Sequence, residues 1–174
     1  MTTSILAAMA IAALNQSAVY DVQIVALPFP TDDALPADFF EGDKFAKAGR
    51  LKAKSISDFG VELNKQKPTM FIAHLVAEAW PNVNCYLQSH VATGEGQYTL
   101  ASVSKIKTDK DELVLETTVS DGQLKSNLTF TGGKFNHRDK FKIGLGEIHY
   151  RLPRAKLKNE RILLLFIVEK KQNS

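Results

Sequence analysis

The chain has 174 residues, carries a formal charge of +3, is 44% hydrophobic and 24% charged, and contains one cysteine. That length can enclose one core of ordinary size without staples, and that balance excludes both a disordered chain and a polytopic membrane protein. A lone cysteine excludes an intrachain disulfide and a cysteine-rich zinc site.

The N-terminus opens with an uninterrupted apolar run, ILAAMAIAAL at 5–14, followed by Asn15-Gln16-Ser17-Ala18. The run is shorter than the about 20 apolar residues a membrane helix needs, and its layout over 1–18 is that of a signal peptide. Two details oppose export. No Lys or Arg precedes the run, and Gln16 stands where a small residue is wanted for a cut after Ala18. The alternative is an ordered N-terminal helix in a structural or assembly subunit, such as a viral or appendage component. In either case residues 19–174 read as a single β-rich domain.

Tyr20, Val22, Ile24 and Ala26 alternate with Asp21 and Gln23, which predicts a strand stopped by Pro28 and Pro30. Between 35 and 66 the pattern loosens into short helices, one near 37–48 and one near 56–65, the second capped by Ser55 or Ser57. From 69 onward the signal is β. Apolar runs at 70–80, 83–92 and 98–107 are broken by Pro81-Asn82 and by Gly94-Glu95-Gly96.

Residues 112–120 alternate Leu113, Leu115, Thr117 and Val119 against mostly polar neighbours. Asp121-Gly122 reads as a two-residue hairpin turn, returning the chain as a strand with Leu124, Leu128 and Phe130 on one face. After Gly132-Gly133 come Phe141, Ile143 and Leu145, a bulge marked by Gly144 and Gly146, and then Ile148, Tyr150 and Leu152 up to Pro153. The segment 162–168 is apolar in both phases and belongs at the centre of a sheet or under a helix layer. The fold class is α+β and mostly antiparallel β: a single sheet or partly open barrel, with one or two short helices covering one face.

Catalytic patterns are missing from the sequence. The glycine pairs lack the third glycine and the strand-to-helix setting of a phosphate cradle, and there is neither a Gly-x-Ser-x-Gly elbow nor a His-Glu-x-x-His helix. His74, His90, His137 and His149 stand far apart, Glu78, Glu116 and Glu147 are isolated, and Cys85 reads as a small apolar residue in a strand. The expectation is no enzyme, no cofactor and no metal. Nucleic acid is not expected either, because Phe and Tyr fall in phase with Leu and Val as core residues do. Basic residues are densest over 134–161, which suits either solvated strand faces or acidic partners.

A resemblance gathers several of these segments. Tyr20-Asp21-Val22-Gln23-Ile24-Val25-Ala26-Leu27, directly after the signal-like run, resembles the start of mature proteins of the CsiV-like family of bacterial envelope proteins, described as peptidoglycan-binding. The His74 strand running into Ala79-Trp80-Pro81, the Asp121-Gly122-Gln123-Leu124 turn, and Tyr150-Arg151-Leu152 followed by the basic stretch 154–161 are similar to that family's segments in the same order. The resemblance implies a periplasmic, non-catalytic adaptor that binds peptidoglycan or supports a cell-wall synthase, with no integral membrane span. Under it, Trp80 would meet a sugar face, while Arg151, Arg154 and Arg161 would meet stem-peptide carboxylates. Without it, Trp80 is a core or edge residue beside Pro81, and the arginines belong to a solvated turn.

Overall fold

The computed structural model describes residues 18–29, 37–41, 47–66, 73–93, 96–109, 112–157 and 161–171. The expected signal peptide, apart from Ala18, lies outside the described residues. The elements in chain order are β1 (Tyr20–Phe29), a 3-10 turn (Ala37–Phe39), β2 (Ala48–Arg50), α1 (Ile56–Gln66), β3 (Ala73–Ala79), β4 (Asn84–Thr93), β5 (Gly96–Asp109), β6 (Glu112–Ser120), β7 (Gln123–Leu124), β8 (Phe130–Thr131), β9 (Asn136–Ile143), β10 (His149–Arg151) and β11 (Arg161–Lys170).

The fold is α+β and predominantly antiparallel. The strands form a five-stranded sheet in the order β2-β10-β11-β1-β3, a four-stranded sheet in the order β4-β5-β6-β9, and the small β7-β8 ribbon. The sheets are open; they do not close into a barrel. All strand ladders are antiparallel, beside one isolated parallel bridge between Leu145 and Val168.

β11 lies inside the five-stranded sheet, paired with β1 from Tyr20↔Lys170 to Phe29↔Arg161. Seven consecutive residues, Ile162 to Val168, are buried, as their two-phase apolar pattern requires. One phase of β1 and β11, including Ile24, Leu164 and Phe166, packs with Leu100, Leu115 and Val119 of the four-stranded sheet. The other phase, including Val25, Leu163 and Leu165, packs with Phe39, Phe40, Phe59 and Tyr150. The five-stranded sheet is therefore a middle layer, with α1 and the chain around the 3-10 turn on one side and the four-stranded sheet on the other.

α1 begins where the sequence calls for a cap: the Ser55 hydroxyl accepts the Asp58 N–H at 3.0 Å, which settles the choice between Ser55 and Ser57. Of the helix expected over 37–48, Ala37–Phe39 form a 3-10 turn, Phe40 bridges to Leu51 and Ala48 begins β2, while 42–46 lie outside the described residues. Here tertiary packing overrides helix propensity. Phe39 and Phe40 are drawn into the core by edge-to-face contacts with Phe59 (5.1 Å) and Tyr150 (4.8 Å). β2 lies so close to Tyr150 that a Cβ on Gly49 would come within 2.7 Å of the ring.

Asp121-Gly122 does not close a hairpin onto β6. β7 leaves the sheet and pairs with β8, and the strand beside β6 is β9, in the register Ser120↔Asn136. The cause is local hydrogen bonding. Asp121 donates its N–H to the Phe135 carbonyl (3.2 Å), and its carboxylate accepts the Phe135 N–H (2.9 Å), which ties off the excursion at its base. Gly133, at φ +73°, permits this approach, since its Cβ would collide with Asp121. The strand expected through Leu128 is broken because Leu128 sits at φ 60° in a turn where Asn127 accepts hydrogen bonds from Thr129. Gly144 and Gly146 form a turn in place of the expected bulge: Glu147 donates its N–H to the Gly144 carbonyl at 3.3 Å, and Gly146 has φ +72°.

Candidate functional site: a cationic belt across β9

β9 is an edge of the four-stranded sheet, and among the described residues only β6 pairs with it. Its sequence alternates strictly. His137, Asp139, Phe141 and Ile143 pair with Val119, Thr117, Leu115 and Leu113 of β6, the phase that faces the core. Asn136, Arg138, Lys140 and Lys142 take the opposite phase and are exposed.

Two grooves, each of about 670 Å³, meet at this strand. The first lies on the outer face of the four-stranded sheet, floored by Lys105, Glu116, Arg138 and Lys140 and rimmed by Leu128 and Phe130 from the β7-β8 excursion. The second runs between β9 and the chain on either side of Pro153, with Lys47 and Arg154 opposite Arg138 and Lys140. Together the grooves present six cations, Lys47, Lys105, Arg138, Lys140, Arg151 and Arg154, against two carboxylates, Glu116 and Asp139.

Both carboxylates are already engaged. Glu116 accepts from Lys107 (2.8 Å) and meets Lys140 (3.0 Å); these hydrogen bonds hold its carboxyl down at about 2. Asp139 holds the Arg151 Nε. Lys47, Lys105, Arg138 and Arg154 have no carboxylate partner among the described residues. The two grooves thus carry a clear excess of positive charge, a field that attracts anions.

The four residues expected at a ligand site are not brought together. Arg151 is buried, donates to the Tyr150 carbonyl at 2.8 Å and lies 3.8 Å from the Phe141 ring centre, so it braces the groove from within. Arg154 is exposed on the groove wall. Trp80 is 45% exposed at the end of β3, in a turn where Val83 donates to its carbonyl at 3.1 Å. Arg161 is exposed at the start of β11, paired with Phe29, whereas the residue before Trp80 pairs with Tyr20. Trp80 and Arg161 therefore sit at opposite ends of β1, about 30 Å apart at about 3.3 Å per residue. Lys47, Lys105, Arg138 and Lys140 were not singled out in the sequence. The signal was the two-residue period of 136–143, which becomes legible once that stretch is assigned as a strand.

Burial pushes the Cys85 thiol up, opposite to an activated thiolate, and His90 lies in the other phase of β4, bonded to Thr99 at 3.2 Å. The His74 side chain lies outside the described residues. His149 donates to Glu147 (3.1 Å), which also holds Arg50 (3.0 Å), and stacks on Phe141. Burial lowers the pKa of His149 and of His137, whose Nε2 is buried without a hydrogen-bond partner. Among the described residues no three His, Cys, Asp or Glu side chains form a metal-binding group, and no helix is long and apolar enough to cross a membrane.

No family model matches the chain, and neither a curated protein nor a solved structure does.

Proposed function

We propose that this chain is a non-catalytic protein of the bacterial envelope, located in the periplasm, that binds peptidoglycan or a cell-wall synthesis protein through anionic groups laid against the β9 belt. One observation carries the reading: four cations without carboxylate partners among the described residues converge on two grooves that share Arg138 and Lys140. Stem-peptide carboxylates suit such a surface, since guanidinium groups take them as bidentate, charge-assisted partners. The envelope assignment comes from the signal-like run at 5–14 and from the family-like segments along the chain.

Co-sedimentation with purified sacculi across a salt series tests it. Wild-type protein pellets at low salt and is released as salt rises, because exposed charge pairing is screened over a Debye length of about 10 Å at 0.1 M. Arg138→Ala and Arg154→Ala flatten that dependence. Trp80→Ala leaves its slope unchanged, because an apolar stack on a sugar carries no charge pairing. Wild-type protein that stays in the supernatant at low salt sinks direct wall binding and leaves only the protein-partner version.

A further inference from the structure

β9 offers more than charge. Asp121 and Phe135 form a hydrogen-bonded antiparallel pair immediately before the β6-β9 ladder, through the Asp121 N–H and the Phe135 carbonyl. Such pairs alternate along an antiparallel ladder, so residues 137, 139, 141 and 143 spend their backbone groups on β6, while 136, 138 and 140 turn theirs to the open side. The Lys140 N–H is taken by the Asp139 carboxylate at 2.8 Å, which agrees with this phase. Asn136 and Arg138 are left with outward N–H and C=O groups beside the second groove. The far wall of that groove carries Pro153, which has no N–H to offer.

From this we infer that the free edge of β9 accepts an extended acidic peptide as an added strand. Its backbone hydrogen-bonds to Asn136 and Arg138, and its carboxylates meet Arg138, Lys140 and Arg154. The inference rests on the reading of the belt as an anion site and deepens it by naming a peptide conformation. Charge complementarity selects the occupant. Lysines on an edge can also serve to repel other strands, but β3 and β4, the other long edges, carry no Lys or Arg. Among the longer edges the cations stand on β9 alone, and the one on the short edge β2, Arg50, is already bonded to Glu147 at 3.0 Å, which favours a recognition site at β9 over general edge protection.

The test uses a labelled eight-residue peptide of alternating Glu and Val, read by fluorescence anisotropy with the full chain. Two further peptides carry N-methyl groups on either the Glu or the Val amides. A strand has period two, and a one-residue slip would turn the carboxylates away from Arg138, so only one phase of amides can face β9. Methylating that phase weakens binding by about tenfold or more, and methylating the other changes it by less than about twofold. On the protein side, Arg138→Pro, which removes one outward N–H at an edge position that tolerates proline, weakens binding beyond Arg138→Ala. Circular dichroism checks that both variants are folded, and the peptide series decides the matter even if the proline variant is not. Equal binding of all three peptides overturns strand addition and leaves the anion belt standing. Sacculi that pellet the protein while no peptide binds overturn it likewise, and failure of both sacculi and peptides removes the belt reading as well.

Discussion

β11 and β9 are both strands of eight or more residues in one molecule, yet they obey opposite rules. β11 is walled in by β10 and β1 at its edges and by packed side chains on both faces, so every position from Ile162 to Val168 is apolar. β9 has one packed face, one wet face and one open edge, and it places His137, Asp139 and Phe141 inward and Arg138 and Lys140 outward. A strand enclosed on all sides can contribute only stability. A strand with an open edge and a solvated face is where recognition can be built.

The sharpest way to break this comparison is Phe166→Ala. The ring is fully buried and meets Phe141 edge-to-face at 5.4 Å, so its removal costs about 3–5 kcal/mol in denaturant unfolding. A loss under about 0.5 kcal/mol would place β11 at the periphery. Next in size is Arg151→Ala, which leaves the mostly buried Asp139 without its guanidinium; the expected loss is about 2–4 kcal/mol by thermal or chemical unfolding. If that variant is as stable as the wild type, Arg151 is not the brace beneath the groove. Gly49→Ala, which forces a Cβ against Tyr150, costs about 1–3 kcal/mol. Ser55→Ala, remote from both strands, costs about 1 kcal/mol through loss of the α1 cap.

The smallest effect is a slope with pH. Burial lowers the pKa of His137 and of His149 from 6.5, so the unfolded chain binds protons that the folded chain refuses. Stability is therefore fully present above 6.5 and is lost as pH falls below it. Replacing His137 with Leu should flatten the unfolding free energy across that window. An unchanged slope would mean that His137 titrates as freely in the fold as in the open chain.

These elements differ in how readily they could be read from the chain. β11 and β6 were legible because burial on two faces or one imposes a local pattern, a continuous apolar run or a strict alternation. The α1 cap was legible for the same reason, since Ser55 and Asp58 are three residues apart. Asp121-Gly122 misled because its turn signal is local while its partner, Phe135, is not. The Asp121 side-chain carboxylate ties off the β7-β8 excursion at its base by accepting the Phe135 N–H. Arg151 and Arg154, three residues apart, divide between interior and surface, and that division depends on Asp139 and Phe141 arriving from β9.

By itself, then, the sequence determined the antiparallel β character, the central strand, the capped helix and the absence of a recognisable catalytic motif. Each follows from short-range periodicity and residue chemistry. Only the tertiary structure decided that β9 is an open edge, that Lys47 and Arg154 face Arg138 and Lys140 across a groove, and that Trp80 and Arg161 lie at opposite ends of β1. Those facts are set by which strands pair over long separations, and pairing depends on the whole core being assembled at once.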